Sequence, residues 1–316
     1  MTPYLFLCLT IALFRVIISL LNISLRSVAE VARAGRFLLF EMARKTYPKY
    51  SVLMTVYHKE KAEFLRKAID SMLNQTVRPS EFVLVEDGPL TDELYEAIKK
   101  YKKNPIFKVI TLKENQGSGP ASNAGVLACS CEWIARLDSD DYSVPERIEK
   151  QFRLLGADSE LNVIGANVIE IETENPNNQQ KVILPAENDE IHKFTGRRCP
   201  FRTSAILFKK DIVIKAGNYR AFHRVEDYDM FARLVANDAR CANVQEFLTY
   251  MRIDKDYYKR RGGMKLAKSI LRLKKNLMKM KLSGVKDWII SVPIQITVCL
   301  MPNSLRDLFY RKVLRG

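Results

Sequence analysis

Zinc-binding and disulfide patterns are missing from this sequence of 316 residues. Its six cysteines form no CxxC pair and follow no regular spacing, and its three histidines form no HExxH motif. A zinc protease, a structural zinc site and a disulfide framework all depend on such spacings, so none of them is indicated. We therefore expect reduced thiols, as in a cytosolic protein.

The central part of the chain has no excess of positive charge, although the whole sequence carries a net charge of +15. Residues 251–316 hold 17 Lys and Arg against 4 Asp and Glu, and residues 1–50 hold 7 against 2. That leaves 27 basic against 30 acidic residues at positions 51–250. Because this centre also lacks a basic stripe interleaved with aromatics, a nucleic-acid-binding protein is disfavoured and we expect no nucleic-acid partner.

The first 49 residues lack the features of a cleaved signal peptide. No basic region precedes the apolar run at residues 4–25, and no small-residue cleavage site follows it. The run is about long enough to span a bilayer, but Arg15 interrupts it. Two interpretations stay open. Either the run is a single membrane anchor followed by a basic, cytoplasmic stretch, or Met42 is the true start and residues 1–41 are an upstream extension.

Strands and helices alternate from Tyr50 onward. Apolar, β-branched runs predict four strands, at residues 51–57, 82–85, 107–112 and 133–137. This alternation predicts an α/β fold with a mostly parallel central sheet and helices on both faces. Ligands of such sheets bind beyond the carboxyl ends of the strands, so the residues that follow these strands are candidates for a site.

The pattern changes after Asp141, and no internal repeat is visible. It predicts a helix, a strand, an exposed polar loop, a second strand and a second helix, at residues 145–155, 163–171, 172–180, 204–208 and 228–235. From Gly262 onward it predicts helices packed outside the sheet. We expect three parts, namely an apolar and basic N-terminal segment at 1–49, a main domain at 50–252 and a basic helical tail at 253–316.

Three acidic groups stand where a site is expected. Residues 86–88 (Glu-Asp-Gly) end the second strand, where a carboxylate can accept a hydrogen bond from a uracil or thymine ring. Residues 138–141 (Asp-Ser-Asp-Asp) follow the fourth strand, where alternate carboxylates can hold a hard cation that also binds a diphosphate. Residues 226–229 (Glu-Asp-Tyr-Asp) begin a helix. Each group also has a structural interpretation, as a turn or as acidic residues that suit a helix N-terminus.

Taken in order, these groups resemble family 2 of the glycosyltransferases, which has the GT-A fold. The resemblance covers about residues 50–252 and rests on five motifs at fitting separations: Val56-Tyr57 at a strand end, Glu86-Asp87-Gly88, Asn115-Gln-Gly117 with Ala121-Ser-Asn123-Ala-Gly125, Leu137-Asp-Ser-Asp-Asp141 and Val225-Glu-Asp227. Within the family, the sequence looks like the bacterial enzymes that build capsule, exopolysaccharide or O-antigen repeat units, including those of the amylovoran type.

The resemblance implies roles for individual residues. Val56, Tyr57 and Asp87 would contact the nucleotide, Asn123 would face the diphosphate or order a loop, Asp138 would lie on the ribose or metal side, Asp140 would be the ligand of a manganese or magnesium ion, and Asp227 would be the catalytic base. Arg202 stands near a place where the family often has His-x-Ser/Thr, so it either faces a phosphate or lies on the surface.

The implied reaction transfers a sugar, with a hexose expected, from a UDP-linked donor to a lipid-linked saccharide acceptor. One displacement by a hydroxyl that Asp227 deprotonates inverts the anomeric carbon. The alternative enzyme class is a sugar nucleotidyltransferase. That class would be expected to carry a glycine-rich phosphate loop after its first strand, and residues 57–60 contain no glycine.

The tail suggests where the acceptor is met. Residues 264–281 carry one apolar and one basic stripe at helical spacing, which predicts a basic amphipathic helix bound to an anionic membrane surface. An ordinary helix with a solvated basic face is the alternative. Residues 288–301 are apolar but interrupted by Pro293, too short to span a bilayer, and expected at the interface or packed on the domain. We expect the protein at the cytoplasmic face of the cell membrane, either peripheral or with one N-terminal anchor.

Overall fold

The computed structural model describes residues 47–254, 257, 259–303 and 305–306. The predictions for the apolar run at residues 4–25 and for a start at Met42 lie outside these residues. Within them, none of the helices combines the length and the apolar character that crossing a membrane requires.

The first half of the described chain forms four parallel strands. These are β1 Tyr50–Val56, β2 Glu81–Glu86, β3 Phe107–Thr111 and β4 Trp133–Arg136, joined by α1 Ala62–Leu73, α2 Asp92–Lys99 and α3 Ser118–Ala128. They lie in the order β3-β2-β1-β4. Nearly every residue of β1 and β2 is buried, as expected of strands covered by helices on both faces. The four predicted strands are confirmed to within one residue at either end.

The helices of this half follow from their sequences. α1 buries one apolar face, made of Leu65, Ala68, Ile69 and Met72. The spacing of these residues places them together on a helix with 3.6 residues per turn. α2 begins after Thr91, whose hydroxyl accepts a hydrogen bond from the backbone N–H of Leu94 at 3.4 Å. That cap fixes where the helix starts.

The second half extends the same sheet. It consists of β5 Tyr142–Ser143, α4 Arg147–Ala157, β6 Val163–Glu172, β7 Gln179–Val182, α5 Asn188–Thr195, β8 Leu207–Lys209, α6 Lys210–Lys215, α7 Glu226–Ala236 and β9 Cys241–Ile253. The sheet order is β3-β2-β1-β4-β8-β6-β9-β5, with β7 paired to β6. β8 runs antiparallel to both β4 and β6, whereas the long pair β6 and β9 is parallel. The mostly parallel α/β sheet is therefore confirmed.

Three local predictions in this half are wrong or incomplete. The polar stretch 172–180 is not all loop, because Gln179 and Gln180 already pair with β6. The strand expected from residue 204 begins at Leu207, since Thr203–Ala205 form a 3-10 turn. The 13-residue strand β9 has no counterpart among the predicted elements.

One buried arginine joins the parallel strands to the antiparallel ones. Arg147, in the first turn of α4, donates hydrogen bonds to the carbonyls of Ser204 and Arg136, both at 2.8 Å. A third bond reaches the carbonyl of Ile206 at 2.9 Å. Burial lowers the pKa of this guanidinium to about 9. Because the three carbonyls belong to β4 and to the segment before β8, one side chain fixes the seam between them.

The tail forms two helices, α8 Met264–Lys279 and α9 Val285–Leu300, that pack on each other. Leu273 and Leu277 of α8 are buried against residues around α7, so these members of the predicted stripe pack inside the protein. The interruption expected at Pro293 is wrong, since α9 continues through it. Because proline has no N–H, the carbonyl of Ile289 lacks its usual hydrogen bond within the helix. Ile289 is 59% exposed, so a water molecule can donate a hydrogen bond there instead.

Candidate active site

The three acidic groups stand at the carboxyl-terminal edge of the parallel strands. Asp87 follows β2, Asp138 follows β4, and Asp227 lies at the start of α7. The start of α7 packs closely on α3, because a Cβ added to Gly119 would clash with a backbone carbonyl and lie 3.5 Å from Cβ of Glu226. Glycine at this position therefore lets α7 approach the strand ends.

Asp87 fixes the loop that leads into α3. Its two carboxylate oxygens accept the N–H groups of Gln116 at 2.8 Å and Gly117 at 3.0 Å. Gly88 has a φ of +82°, and a Cβ there would lie 2.5 Å from the backbone nitrogen of Asn115. The turn after β2 therefore requires glycine. The carboxylate predicted to contact the nucleotide thus holds the backbone just before a helix N-terminus, where anions are favoured.

β1 ends at the same edge with one buried and one half-exposed residue. Val56 is 1% exposed and its carbonyl accepts the N–H of Asp87 at 2.8 Å, so its side chain belongs to the core. Tyr57 is 42% exposed. Burial, followed by the charge of Glu60 and more weakly that of Asp140, raises the pKa of its hydroxyl. Of the two predicted contacts, Tyr57 offers a ring on which a base can stack, whereas the Val56 side chain faces inward.

Asn123 lies in α3, one turn from its start. Its carbonyl accepts a hydrogen bond from the side chain of Asn218 at 3.3 Å, which ties α3 to the loop before α7. Asn218 has a φ of 50°, a left-handed conformation that asparagine tolerates well. Because this contact is made by the backbone of Asn123, both roles of Asn123, facing the diphosphate or ordering a loop, stay predictions.

The segment after β4 gathers carboxylates. The hydroxyl of Ser139 donates to the Glu60 carboxylate at 2.7 Å, which places Glu60 beside this segment. Burial, followed by the charges of Glu60 and Asp138, raises the pKa of Asp140 to about 7. Carboxylates this close repel one another until a proton or a cation joins them. Sequence reasoning missed Glu60, because a single acidic residue in the loop after a strand carries no distinctive pattern.

Asp141 has a structural role in this segment. It is 3% exposed and accepts hydrogen bonds from the hydroxyl of Ser204 and from the backbone N–H of Arg252 at 2.7 Å. These bonds tie the end of β4 to the 3-10 turn and to β9. Of the three aspartates in the motif, Asp138 and Asp140 are therefore the ones left to face a ligand.

The donor atoms here suit a hard cation. Asp138, Asp140 and Glu60 supply only carboxylate oxygens, which magnesium and manganese prefer. Over the described ranges, no group of three or more His, Cys, Asp or Glu side chains is arranged to hold a metal ion. A divalent cation at Asp140 would need further oxygen ligands, which a bound diphosphate would supply. The crowding that raises the pKa of Asp140 is the kind that such a cation relieves.

Asp227 has the environment of a tuned carboxylate. Burial and then the negative charges of Glu226 and Asp138 raise the pKa of Asp227. The positive charge of Arg136 and a hydrogen bond from Thr203 lower it, and the net result is a pKa of about 7. Its Oδ1 atom is buried and has no hydrogen-bond partner within the described structure. A group with a pKa near the working pH, with one oxygen open, can accept a proton from a bound hydroxyl.

The two other acidic residues near Asp227 on α7 differ from each other in their contacts. Burial raises the pKa of Glu226, and its Oε2 atom is also buried without a partner among the described residues. Asp229 instead accepts a hydrogen bond from Arg233 at 2.9 Å in a buried ion pair. Asp229 therefore holds the helix together, and Glu226 is the second residue of the group that faces the site.

Arg136, at the end of β4, is the main site residue that sequence reasoning missed. Its guanidinium is buried and donates to the Ser122 hydroxyl at 2.8 Å and to Asp138 Oδ1 at 3.1 Å. Burial lowers its pKa, but Tyr219 and three carboxylates, those of Asp138, Asp227 and Glu226, outweigh burial and raise it. The available signal was a charged residue inside an otherwise apolar strand, two positions before an acidic group.

Arg202 pairs with Glu170 of β6 at 3.7 Å, and its side chain is 28% exposed. The two interpretations of Arg202, facing a phosphate or lying on the surface, both stay predictions.

Comparison with known proteins agrees with this arrangement. The pattern of Glycosyl transferase family 2 matches residues 51–228. An Escherichia coli UDP-Gal:alpha-D-GlcNAc-diphosphoundecaprenol beta-1,3-galactosyltransferase is 32% identical, over 85% of this chain and 97% of its own length. The amylovoran biosynthesis glycosyltransferase AmsE of Erwinia amylovora is 32% identical, over 84% of this chain and 100% of its own.

A solved structure supports the fold. The mannosyltransferase PcManGT of Pyrobaculum calidifontis, in complex with GDP-Man and Mn2+, superposes with a TM-score of 0.59 at 12% identity, over 90% of this chain and 83% of its own. At that identity the likeness concerns the fold, which is the GT-A arrangement of a mostly parallel sheet flanked by helices. The family pattern across residues 51–228 and the two relatives at 32% identity show that the chain belongs to Glycosyl transferase family 2 and is a glycosyltransferase.

Proposed function

We propose that this protein is an inverting, metal-dependent glycosyltransferase of bacterial surface polysaccharide synthesis. It takes a sugar, with a hexose expected, from a UDP-linked donor and passes it to a lipid-linked saccharide. The observation that carries the mechanism is the partly unpaired carboxylate of Asp227, with a pKa of about 7, at the strand edge that also holds Asp138. The names of the Escherichia coli and Erwinia amylovora relatives support the donor, the acceptor and the pathway class.

In the proposed reaction, an acceptor hydroxyl gives its proton to Asp227 while its oxygen attacks the anomeric carbon. The bond from that carbon to the diphosphate breaks on the opposite face, so one displacement inverts the configuration. Tyr57, Asp87, Asn123 and Asp138 bind the nucleotide side of the donor, together with the backbone of Val56. Asp140 would hold a manganese or magnesium ion, and such an ion would supply positive charge beside the diphosphate leaving group.

The test is to incubate the full chain with UDP-sugars and a lipid-linked saccharide, and to measure the released nucleotide and the anomeric configuration of the product. UDP release with inversion is expected. Asp211→Asn is a matched control, because Asp211 lies on α6 in an exposed ion pair with Lys215. Pyrophosphate release would instead indicate a nucleotidyltransferase, and a retained configuration would contradict the role of Asp227.

We further propose that the tail binds an anionic membrane surface on the cytoplasmic side. α9 leaves an apolar stripe exposed along its length, made of Val285 (60%), Ile289 (59%), Ile290 (65%), Ile294 (55%) and Leu300 (52%). α8 exposes basic residues at helical spacing, namely Lys265, Lys268, Arg272, Lys275 and Lys279. Residues 264–300 hold eight basic residues and one acidic residue. An apolar stripe beside a cationic face suits a leaflet of anionic lipids.

Sedimentation with anionic vesicles separates the two contributions. Ile289, Ile290 and Ile294 changed together to Ser should weaken binding at all salt concentrations, whereas the five basic residues of α8 changed to Gln should remove its salt dependence. Ile183→Ser is the control, because Ile183 follows β7 directly, is 70% exposed and lies outside the tail. If neither set changes sedimentation, the tail is not the membrane contact.

A further inference from the structure

The burial of the charged Arg136 side chain at the end of β4 requires an explanation. Its side chain is 0% exposed, and the ion pair with Asp138 at 3.1 Å is formed with a carboxylate that is 39% exposed. A buried guanidinium lowers stability unless its donors are paired, yet its Nε has no partner within the described residues. An apolar residue would fill the end of β4 at less cost, so the charge itself is the feature to explain.

The unpaired atoms near Arg136 form one group. They are Nε of Arg136, the hydroxyl of Tyr219, Oε2 of Glu226 and Oδ1 of Asp227, all buried and without a hydrogen-bond partner in the part of the chain that the structure describes. The guanidinium carbon lies 5.6 Å from the centre of the Tyr219 ring. Buried polar atoms are rarely left unpaired in native proteins, so these four atoms need an explanation.

We propose that Arg136 is a positioning residue that acts through two carboxylates, orienting Asp138 toward the donor and keeping Asp227 ionised so that it can accept a proton. This inference rests on the proposed function, because it takes Asp227 as the base. The orienting part rests on the hydrogen bonds to Ser122 and Asp138. The ionising part rests on where the buried guanidinium lies: it contacts Ser122 of α3, about one turn along that helix from Gly119, which packs against Glu226 at the start of α7. Against the effect of burial, the charges of Tyr219, Asp138, Asp227 and Glu226 raise the pKa of Arg136.

The charges around Asp227 explain how Arg136 keeps this carboxylate ionised. Asp227 is surrounded by titratable groups from several elements: Arg136 and Asp138 from the end of β4, Cys199 and Tyr219 from loops, and Glu226 from α7 itself. Thr203 adds a hydrogen bond. Of the charges that lower the pKa of Asp227, that of Arg136 has the largest effect, and it opposes burial and two negative neighbours. Without it, Asp227 would bind its proton more tightly.

The shape of the guanidinium explains how Arg136 orients Asp138. Arginine presents donors in a planar fork, and here two of its nitrogens reach Ser122 on α3 and Asp138 after β4 at the same time. A lysine would keep the charge but could not hold both partners in this geometry. Substitution with lysine therefore separates the orienting effect from the ionising effect.

The experiment compares Arg136→Lys with Arg136→Met in the full chain. Two quantities are measured: the dissociation constant of UDP by calorimetry, and the pH below which kcat/KM falls. In the methionine variant this pH should rise by about one unit or more, because the opposing charge is gone. In the lysine variant it should stay within a few tenths of a unit of the unmodified protein. Both variants should bind UDP at least about tenfold more weakly, since neither side chain can hold Ser122 and Asp138 together and so fix the orientation of Asp138.

Arg233→Met is the matched control. Arg233 is also a buried arginine paired with an aspartate, Asp229 of α7, but its other hydrogen bonds go to the carbonyls of Ala216 and Asn218 and not to Asp138 or Asp227. Because Arg233 is not among the main charges that shift the pKa of Asp227, its loss should lower the melting temperature and leave the pH profile unchanged. If the Arg136→Met variant does not fold, Arg136→Gln replaces it with the same expected shift.

A neutral variant whose pH profile coincides with that of the unmodified protein would overturn the ionising role, and unchanged UDP affinity in both variants would overturn the orienting role. Failure of the proposed function looks different. In that case the unmodified chain would transfer no sugar, while the UDP measurements would still test the contact between Arg136 and Asp138.

Discussion

Lowering the pH should switch off Asp227 as a base while the donor can still bind. Its pKa is raised to about 7, chiefly by burial and then by Glu226. The carboxylate form accepts the proton, so activity is present above this pKa and lost as the pH falls through it. About a tenth of the protein would have Asp227 ionised at pH 6 and about a hundredth at pH 5. An aspartate with the ordinary pKa of about 3.9 would remain more than nine-tenths ionised at pH 5.

The assay must separate Asp227 from Asp140, whose pKa is also raised to about 7, by burial and then by Glu60. We would measure kcat for UDP release with donor, acceptor and manganese all saturating, from about pH 8 to about pH 5. In parallel, the dissociation constant of UDP would be measured across the same range. We expect kcat to fall about tenfold per pH unit below about pH 7, while changes at Asp140 appear in the UDP affinity.

Asp227→Asn provides the reference for this prediction. Removing a general base typically lowers the rate by about 10²–10⁴-fold, and the remaining activity should not depend on pH in this range. A kcat that stays constant down to about pH 5 in the unmodified protein would refute the reasoning. Near-normal transfer by Asp227→Asn would do the same and would point to Glu226, whose Oε2 atom is also unpaired.

Three further predictions follow from other contacts. Asp140→Ala should erase the difference in UDP affinity between manganese and chelator, and equal affinity in the unmodified protein would rule out a metal there. Gly119→Val should lower activity and thermal stability, because a Cβ would clash with the carbonyl of Arg220; normal values for both would mean that α7 does not pack this closely. Burial lowers the pKa of Lys274 to about 8. Between about pH 8 and about pH 10 the unfolded chain therefore binds more protons, so urea unfolding should show stability rising with pH, and Lys274→Met should lose that rise while Lys275→Met keeps it.

The fold and the acidic site motifs could be predicted because each depends on local sequence. Strands β1 to β4 are short apolar runs, and Asp87 and Asp138 directly follow two of them. In a parallel sheet, the ends of neighbouring strands meet at one edge whatever the details of packing. The sequence could therefore predict that the acidic residues after these strands lie at the same edge of the sheet.

Arg136 and Glu60 could not be predicted because their roles depend on partners distant in sequence. Arg136 needs Ser122, which is 14 positions away on another element, and Glu60 needs Ser139, which is 79 positions away. β9 was missed because its pairing with β6 shifts register on either side of Asn167, which breaks a simple alternation of buried and exposed residues. The sequence could not predict that α9 continues through Pro293, because it does not show which residues of α9 are exposed.

The guanidinium of Arg147 has a consequence for the timing of catalysis. It holds the carbonyl of Arg136, just before Asp138, and the carbonyl of Ser204, just after Thr203, the hydrogen-bond partner of Asp227. The donor side and the base side of the proposed reaction are thus set in register while the chain folds. Each catalytic cycle would then begin with the leaving group and the base already aligned, so that little of the barrier goes into reorganising the protein.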